Sequence, residues 1–276
     1  MGTGIKPKDG DYDIDVGVQL DCNINDYEPV ALKEIVRNAL TYQNRTVEIK
    51  RPCITVKYIK NSVIDYHVDF PIYATDSYGK LYLASGKEHS DAENKKWILS
   101  NPTELIDTIK NKFSSDKGKQ FRRCTRYLKK WRNEYGNLDF FKSIAITSAV
   151  YEHINVEDTE NDNQALLSIL NILTNQFIYP ARDPDTRSIY SRLKIFLPAH
   201  ENLDLLEKLT CKQMKCLQAA LSSLKETLVI VENELDTIEA CKKLRKAFGS
   251  AFPIPVASAI STSVLTPAYV KTGSSA

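Results

Sequence analysis

The chain has little of what builds zinc modules, disulfide frameworks or membrane spans. Its six cysteines, Cys22, Cys53, Cys124, Cys211, Cys216 and Cys241, include no Cys-x-x-Cys pair, and no histidine cluster lies near them. This argues against a zinc site and fits scattered thiols in a reducing cytoplasm. There is no run of 18 apolar residues and no secretory apolar region at the start, so neither a transmembrane helix nor a membrane partner is expected. Only four histidines occur, His67, His89, His153 and His200, and none has a partner at ligand spacing, so they read as structural. No internal repeat is visible. What remains is an ordinary globular composition, 42% hydrophobic over 276 residues, enough for one large domain or two coupled lobes.

The most informative stretch is Gly10-Asp11-Tyr12-Asp13-Ile14-Asp15-Val16-Gly17-Val18. As a strand of period 2 it sends Ile14, Val16 and Val18 toward a core and Asp13, Asp15 and Gly17 to the other face. A second strand alternates Val68, Phe70 and Ile72 with His67, Asp69 and Pro71. If the two strands pair, Asp13, Asp15 and Asp69 converge. Carboxylates so placed repel one another unless cations sit between them. Such a patch suits two Mg²⁺ ions about 4 Å apart in phosphoryl transfer. Taken alone, an Asp-x-Asp is more often a turn or a solvated edge.

Net charge is only +2, but its distribution is uneven. Between Lys110 and Arg132 ten basic residues face one acid, Asp116. Phe121, Cys124, Leu128, Trp131 and Tyr135 fall at helical spacing and are expected to face a core. Arg122, Arg126 and Lys129 then form an adjacent positive stripe suited to a triphosphate. A solvated helix face is the competing reading. One short stripe is poor support for a duplex platform, and no stable nucleic-acid complex is expected.

Strands are expected near 11–20, 46–59, 63–74 and 79–84, with a helix near 28–41 and a hairpin turn at Lys60-Asn61-Ser62. Ser85 to Lys96 reads as a mobile polar loop, and Asn155 to Asn163 as an acidic connector. Asn101-Pro102-Thr103-Glu104 is a helix start. Helices are expected over 102–113, 117–135, 139–152, 164–178, 204–233 and 237–247. Leu217, Leu221, Leu224, Leu228 and Val231 form a packing seam, and Asp236 and Gly249 bracket the last helix. The fold class is α+β: a mixed-sheet lobe over 1–100, a helical lobe over 101–253, and a poorly ordered tail over 254–276. A cleft between the lobes is the expected nucleotide site.

Several segments together resemble the bacterial CD-NTases, the cyclic-oligonucleotide synthases related to cyclic GMP–AMP synthase and oligoadenylate synthetase. They are Gly2-Thr3-Gly4-Ile5-Lys6-Pro7…Gly10-Asp11-Tyr12-Asp13-Ile14-Asp15, Lys50-Arg51-Pro52-Cys53 and Tyr66-His67-Val68-Asp69-Phe70-Pro71. Gln120-Phe121-Arg122-Arg123…Arg126-Tyr127-Leu128-Lys129-Lys130-Trp131, Asp204-Leu205-Leu206…Gln213-Met214 and Phe248-Gly249…Phe252-Pro253 continue the likeness over nearly the whole chain. The resemblance implies a polymerase-β-like nucleotidyltransferase core followed by a helical lobe. It also implies metal-dependent joining of ribonucleoside triphosphates into a cyclic di- or trinucleotide, in anti-phage CBASS defence. It makes Asp13, Asp15 and Asp69 the catalytic residues and the ligands of two Mg²⁺ ions, with Mn²⁺ as a substitute, and Asp69 the base. It assigns phosphate contacts to Arg126 and Ser143, beside Arg122 and Lys129 of the stripe. In some systems of the family a ubiquitin-transfer-like protein acts on the synthase's C-terminus, for which the tail ending Ser274-Ser275-Ala276 is suited.

Relatives carry, upstream of this segment, a Gly-Ser pair that binds donor phosphates and a long bracing helix. The chain begins at Met1-Gly2-Thr3-Gly4. The expectations are a start assigned at an internal Met, a fragmentary gene, or an inactive truncated protein. The 276-residue form is accordingly expected to be poorly soluble and silent with the four nucleoside triphosphates. An RNA-end nucleotidyltransferase is the alternative enzyme, and a nucleotidyltransferase-fold protein without turnover the alternative that is not an enzyme.

Overall fold

The computed structural model describes residues 2–5, 13–112, 115–155, 161–198 and 200–256. The chain divides into two compact units. One is Lys6–Ile106; the other joins Met1–Ile5 to Asp107–Ala276.

The first unit is built on two four-stranded mixed sheets. The strands are β1 (Asp13–Asp15), β2 (Val18–Asn23), β3 (Arg45–Ile49), β4 (Ile54–Lys60), β5 (Val63–Phe70), β6 (Ile72–Thr75), β7 (Leu81–Ser85) and β8 (Lys96–Leu99). Their orders are β1-β5-β4-β3 and β2-β6-β7-β8, with β1 parallel to β5 and β2 parallel to β6. The sheets adjoin where both parallel pairs pass through a bend. Pro71 has no N–H to continue the β5 ladder, while Val16 N–H donates to Asp69 O at 2.8 Å and Val18 N–H to Pro71 O at 2.9 Å. The turn after Lys60 is the two-residue Asn61-Ser62 loop, both at positive φ, as a tight hairpin requires.

Helix α1 (Pro29–Leu40) opens with Pro at its first position, where the missing N–H costs nothing. It packs on β3, β4 and β7, and Leu32, Ile54, Ile72, Ala74 and Ala84 are buried together. Two expectations fail here. Ile14 and Val16 do not point into the core: they are 46% and 42% exposed. β1 is an edge strand, and the helix packs on β3 and β4 at the other side of the sheet. The stretch from Ser85 to Lys96 is also fastened, not loose. Gly86 N–H donates to Arg51 O at 3.0 Å, Lys95 Nζ to Glu88 O at 2.7 Å, and Arg37 pairs with Glu88. A short 3-10 turn, Ala92–Asn94, lies within it. Gly86 has φ +134°, and a Cβ there would stand 2.8 Å from Val30 Cγ2.

Helix α2 (Pro102–Lys112) starts as expected, with Asn101 Oδ1 accepting Glu104 N–H at 3.1 Å. The second unit then contains α3 (Ser115–Tyr135), α4 (Ser143–His153), α5 (Asp162–Asn175), α6 (Cys211–Glu232) and α7 (Thr237–Phe248). Phe121, Cys124, Leu128 and Trp131 are buried on α3, whereas Tyr135 is 46% exposed and rests its ring against Trp131. Leu217, Leu221, Leu224 and Leu228 are buried along α6. Asp236 caps α7 through Ile238 N–H at 2.7 Å, and Gly249 closes it at φ +93°.

The helix expected from 204 begins instead at Cys211, because Thr210 and Gln213 form a reciprocal capping box. Asp204 ends a strand, its carboxylate accepting Ile195 and Leu206 N–H. Two small antiparallel ribbons fill the stretch before the helix: β9 (Tyr179–Arg182) with β10 (Ile189–Arg192), and β11 (Phe196–Leu197) with β12 (His200–Asp204). Residues 156–160 of the acidic connector and the tail from 257 lie outside the described residues.

Candidate active site

Strand pairing brings the carboxylates together as the alternation requires. Asp15 on β1 is in register with Asp69 on β5, and Asp13 with His67. Paired residues on neighbouring strands, about 4.8 Å apart, share a face. The row continues from Asp69 to Thr55 on β4 and to Glu48 on β3. The alternate row, Ile14, Val68, Val56 and Val47, is apolar. One face of this sheet is therefore core, and the other carries the acids. Asp13 stands at its register position on β1; its side chain lies outside the described residues.

Asp15 is exposed and Asp69 half-buried. Thr55, wholly buried, donates its hydroxyl to Asp69 Oδ1. The Cys53 thiol lies 3.7 Å from the same hydroxyl; burial raises its pKa, and the charge of Asp69 adds to the effect. The Tyr73 phenol is also raised, chiefly by burial and secondarily by the charge of Asp15. Among the described residues no three His, Cys, Asp or Glu side chains form a metal cluster. The described set is a facing pair of carboxylates. It fits a divalent ion chemically: the oxygens are hard, accessible, and mutually repulsive without a cation.

Beneath this face, Lys33 of α1 is wholly buried. Its ammonium donates to three backbone carbonyls, Lys50 O at 2.6 Å, Gly86 O at 2.9 Å and Arg51 O at 3.1 Å. Burial lowers its pKa to about 8. The clamp holds the turn that feeds β4, and so Thr55. Sequence reasoning missed Lys33 and Thr55. A lysine between Leu32 and Val36 on an amphipathic helix was the available signal for the first; a threonine within a strand gives none.

The basic stripe of α3 divides by burial. Arg126 is exposed, and Arg122 is half-buried, its side chain so close to Gly2 that a Cβ there would lie 2.9 Å from Arg122 Cδ. Lys129 is buried, donating to Thr3 O at 3.0 Å and Thr3 Oγ1 at 3.4 Å. Burial, aided by the charge of Arg132, lowers its pKa to about 8. Ser143 is exposed at the start of α4, where its hydroxyl accepts a bond from Arg132 at 3.1 Å. Arg132 also donates to Phe141 O at 3.1 Å, which fixes the turn entering α4. It too escaped the sequence reading.

Residues 1–73 match the family model of the nucleotidyltransferase domain of DncV-like cyclic GMP-AMP synthases. The chain resembles the DncV-like bacterial CD-NTases over that stretch. It is 25% identical, over 157 residues, to a cyclic GMP-AMP synthase of Escherichia coli strain TW11681, covering 56% of this chain and 34% of that protein. Two crystal structures of Vibrio cholerae DncV share its fold. The 3′-deoxy GTP-bound form matches with TM-score 0.61 at 21% identity, and the form with the linear intermediate pppA(3′,5′)pG with TM-score 0.57 at 22%. Each alignment covers 88% of this chain and 63% of the other. The chain thus spans about a third of the curated relative and under two thirds of the solved ones. No helix among its described residues is long and apolar enough to cross a membrane.

Proposed function

We propose that the chain is a metal-dependent nucleotidyltransferase that joins ribonucleoside triphosphates into a cyclic dinucleotide and releases pyrophosphate. The observation that carries this reading is Asp15 in register with Asp69 on adjacent parallel strands, in a fold shared with a nucleotide-bound cyclase. Asp13, Asp15 and Asp69 would hold two Mg²⁺ ions. When bound, these supply Lewis-acid stabilisation of the phosphoryl oxygens and acidify the attacking ribose hydroxyl. Asp69 receives the proton of that hydroxyl. Arg126 offers an exposed guanidinium to phosphate oxygens. Arg132 orients the Ser143 hydroxyl at the start of α4, where free backbone N–H groups favour anions. The product would serve as a second messenger in cytoplasmic anti-phage defence, and a ubiquitin-transfer-like protein acting on the C-terminal tail belongs to the same reading.

The test is mass spectrometry of products formed from the four ribonucleoside triphosphates with Mg²⁺. The expected result is a cyclic dinucleotide, abolished by Asp69→Asn. Linear extension of RNA ends without ring closure would transfer the reading to an RNA-end enzyme. Undiminished product from Asp69→Asn would overturn the site.

A further inference from the structure

A carboxylate that ligates a cation has two oxygens and can offer one or both. In this sheet one oxygen of Asp69 is already taken. Thr55 is its register partner on β4, opposite in direction to Asp15 on β1, so Asp69 sits between a carboxylate and a hydroxyl in one row. The Thr55 side chain is wholly buried, and a hydroxyl so placed must find a partner. It donates to Asp69 Oδ1. A threonine hydroxyl has one proton to give. With that proton committed to Asp69, a bond between the Thr55 oxygen and the Cys53 thiol 3.7 Å away has the thiol as its donor. The bond that orders the row is the one from Thr55 Oγ1–H to Asp69 Oδ1. That bond fixes the hydroxyl rotor and, through it, the carboxylate plane.

The base of this row is also fixed. Lys33 ties Lys50 O and Arg51 O, just before Cys53, to Gly86 O, and Gly86 N–H returns a bond to Arg51 O at 3.0 Å. Lys50 N–H donates to Cys53 O at 2.9 Å across the turn. The strand that presents Thr55 thus starts from a rigid corner.

Resting on the nucleotidyltransferase reading above, we propose that Thr55 is the positioning residue of the metal site. Its hydroxyl occupies Asp69 Oδ1, so that Asp69 meets the cation shared with Asp15 through its other oxygen alone. The hydroxyl does not touch substrate. It acts through the carboxylate, by holding one orientation and by withdrawing one of the two ligand atoms.

The experiment is Mn²⁺ binding by the 276-residue chain, followed by electron paramagnetic resonance without nucleotide. Wild type is compared with Thr55→Val, Thr55→Ser and Asp15→Asn. Thr55→Val preserves shape and removes the donor. It is expected to weaken Mn²⁺ binding 5- to 20-fold while circular dichroism and the urea midpoint stay near those of wild type. Thr55→Ser, which keeps the hydroxyl, should return the affinity to within about twofold. In the nucleotide-joining reaction, Thr55→Val should lower kcat at least tenfold with KM for nucleotide little changed. If Thr55→Val binds Mn²⁺ as wild type does, or if Ser and Val are equally impaired, the positioning role is wrong. Loss of folding in Thr55→Val with full metal binding by Thr55→Ser leaves the Ser comparison to decide in its favour. A wild type that binds no Mn²⁺, or an Asp15→Asn that binds as well, rejects the metal site itself and Thr55's role with it.

Discussion

Among the described residues each unit of the molecule buries one lysine, and the two are spent differently. Lys33, in the sheet unit, matches its three N–H donors to three carbonyls of two chain segments. Lys129, in the helical unit, reaches only Thr3 among the described residues, through a carbonyl at 3.0 Å and a hydroxyl at 3.4 Å. Both have pKa values lowered to about 8, each chiefly by burial. Burial and titration therefore do not distinguish a structural lysine from an available one. Partner count does. A fully satisfied ammonium has nothing left to offer a ligand, whereas one held by a single residue can exchange that residue for a phosphate oxygen.

Replacing each lysine by Met should separate them most sharply. Lys33→Met takes the ammonium donor from Lys50 O and Gly86 O and leaves Arg51 O with Gly86 N–H alone, and should cost roughly 2–5 kcal/mol. Lys129→Met should cost about 1 kcal/mol, since the Thr3 contacts are fewer and longer. Urea denaturation measures both, and equal losses would break the comparison.

The next largest effect is on nucleotide binding. Lys129→Met should raise the apparent KM for nucleoside triphosphates about tenfold, with the fold intact. Arg126→Ala should add to it. An unchanged KM would assign Lys129 to structure, beside Lys33.

A third effect, spread over roughly two pH units, is on the pH dependence of stability. For either lysine the folded pKa of about 8 lies below the ordinary 10.5. Between those values the unfolded chain holds more protons, so stability rises with pH across the window and is flat in this respect below it. Each lysine contributes a slope approaching 1.4 kcal/mol per pH unit near pH 9. Removing either by Met should flatten the stability profile there by that amount. A wild-type profile parallel to both variants from pH 8 to 10 would contradict the burial of these ammonium groups.

How far the sequence could reveal this depended on which force placed each residue. Asp15 and Asp69 were legible because period 2 is a property of the strand itself, and because two acids on apolar strands stand out. Their pairing needed only parallel register. The capped starts at Asn101 and Asp236 were legible for the same local reason. Ile14 and Val16 misled because alternation says which face a side chain takes, not whether anything covers it. Asp204 misled because Asp and Thr both cap helices, and only the reciprocal bond between Thr210 and Gln213 decides where α6 begins. The ribbons β9 to β12 are two to five residues each, too short for a period to emerge. Lys129 was read as part of an open stripe. Its burial depends on Thr3, 126 residues away in sequence, which no helical wheel contains. Lys33 and Thr55 are set by contacts of the same long-range kind.

The account stands on Asp15 and Asp69 as a cation-binding pair, and metal-dependent stability tests that most directly. The thermal midpoint of the 276-residue chain is measured with and without Mg²⁺, beside Asp69→Asn. Mg²⁺ should raise the wild-type midpoint. Asp69→Asn should match or slightly exceed wild type in metal-free buffer, because one of two repelling charges is gone, and should not respond to Mg²⁺. A wild type indifferent to Mg²⁺, or an Asp69→Asn that responds as fully, would contradict it.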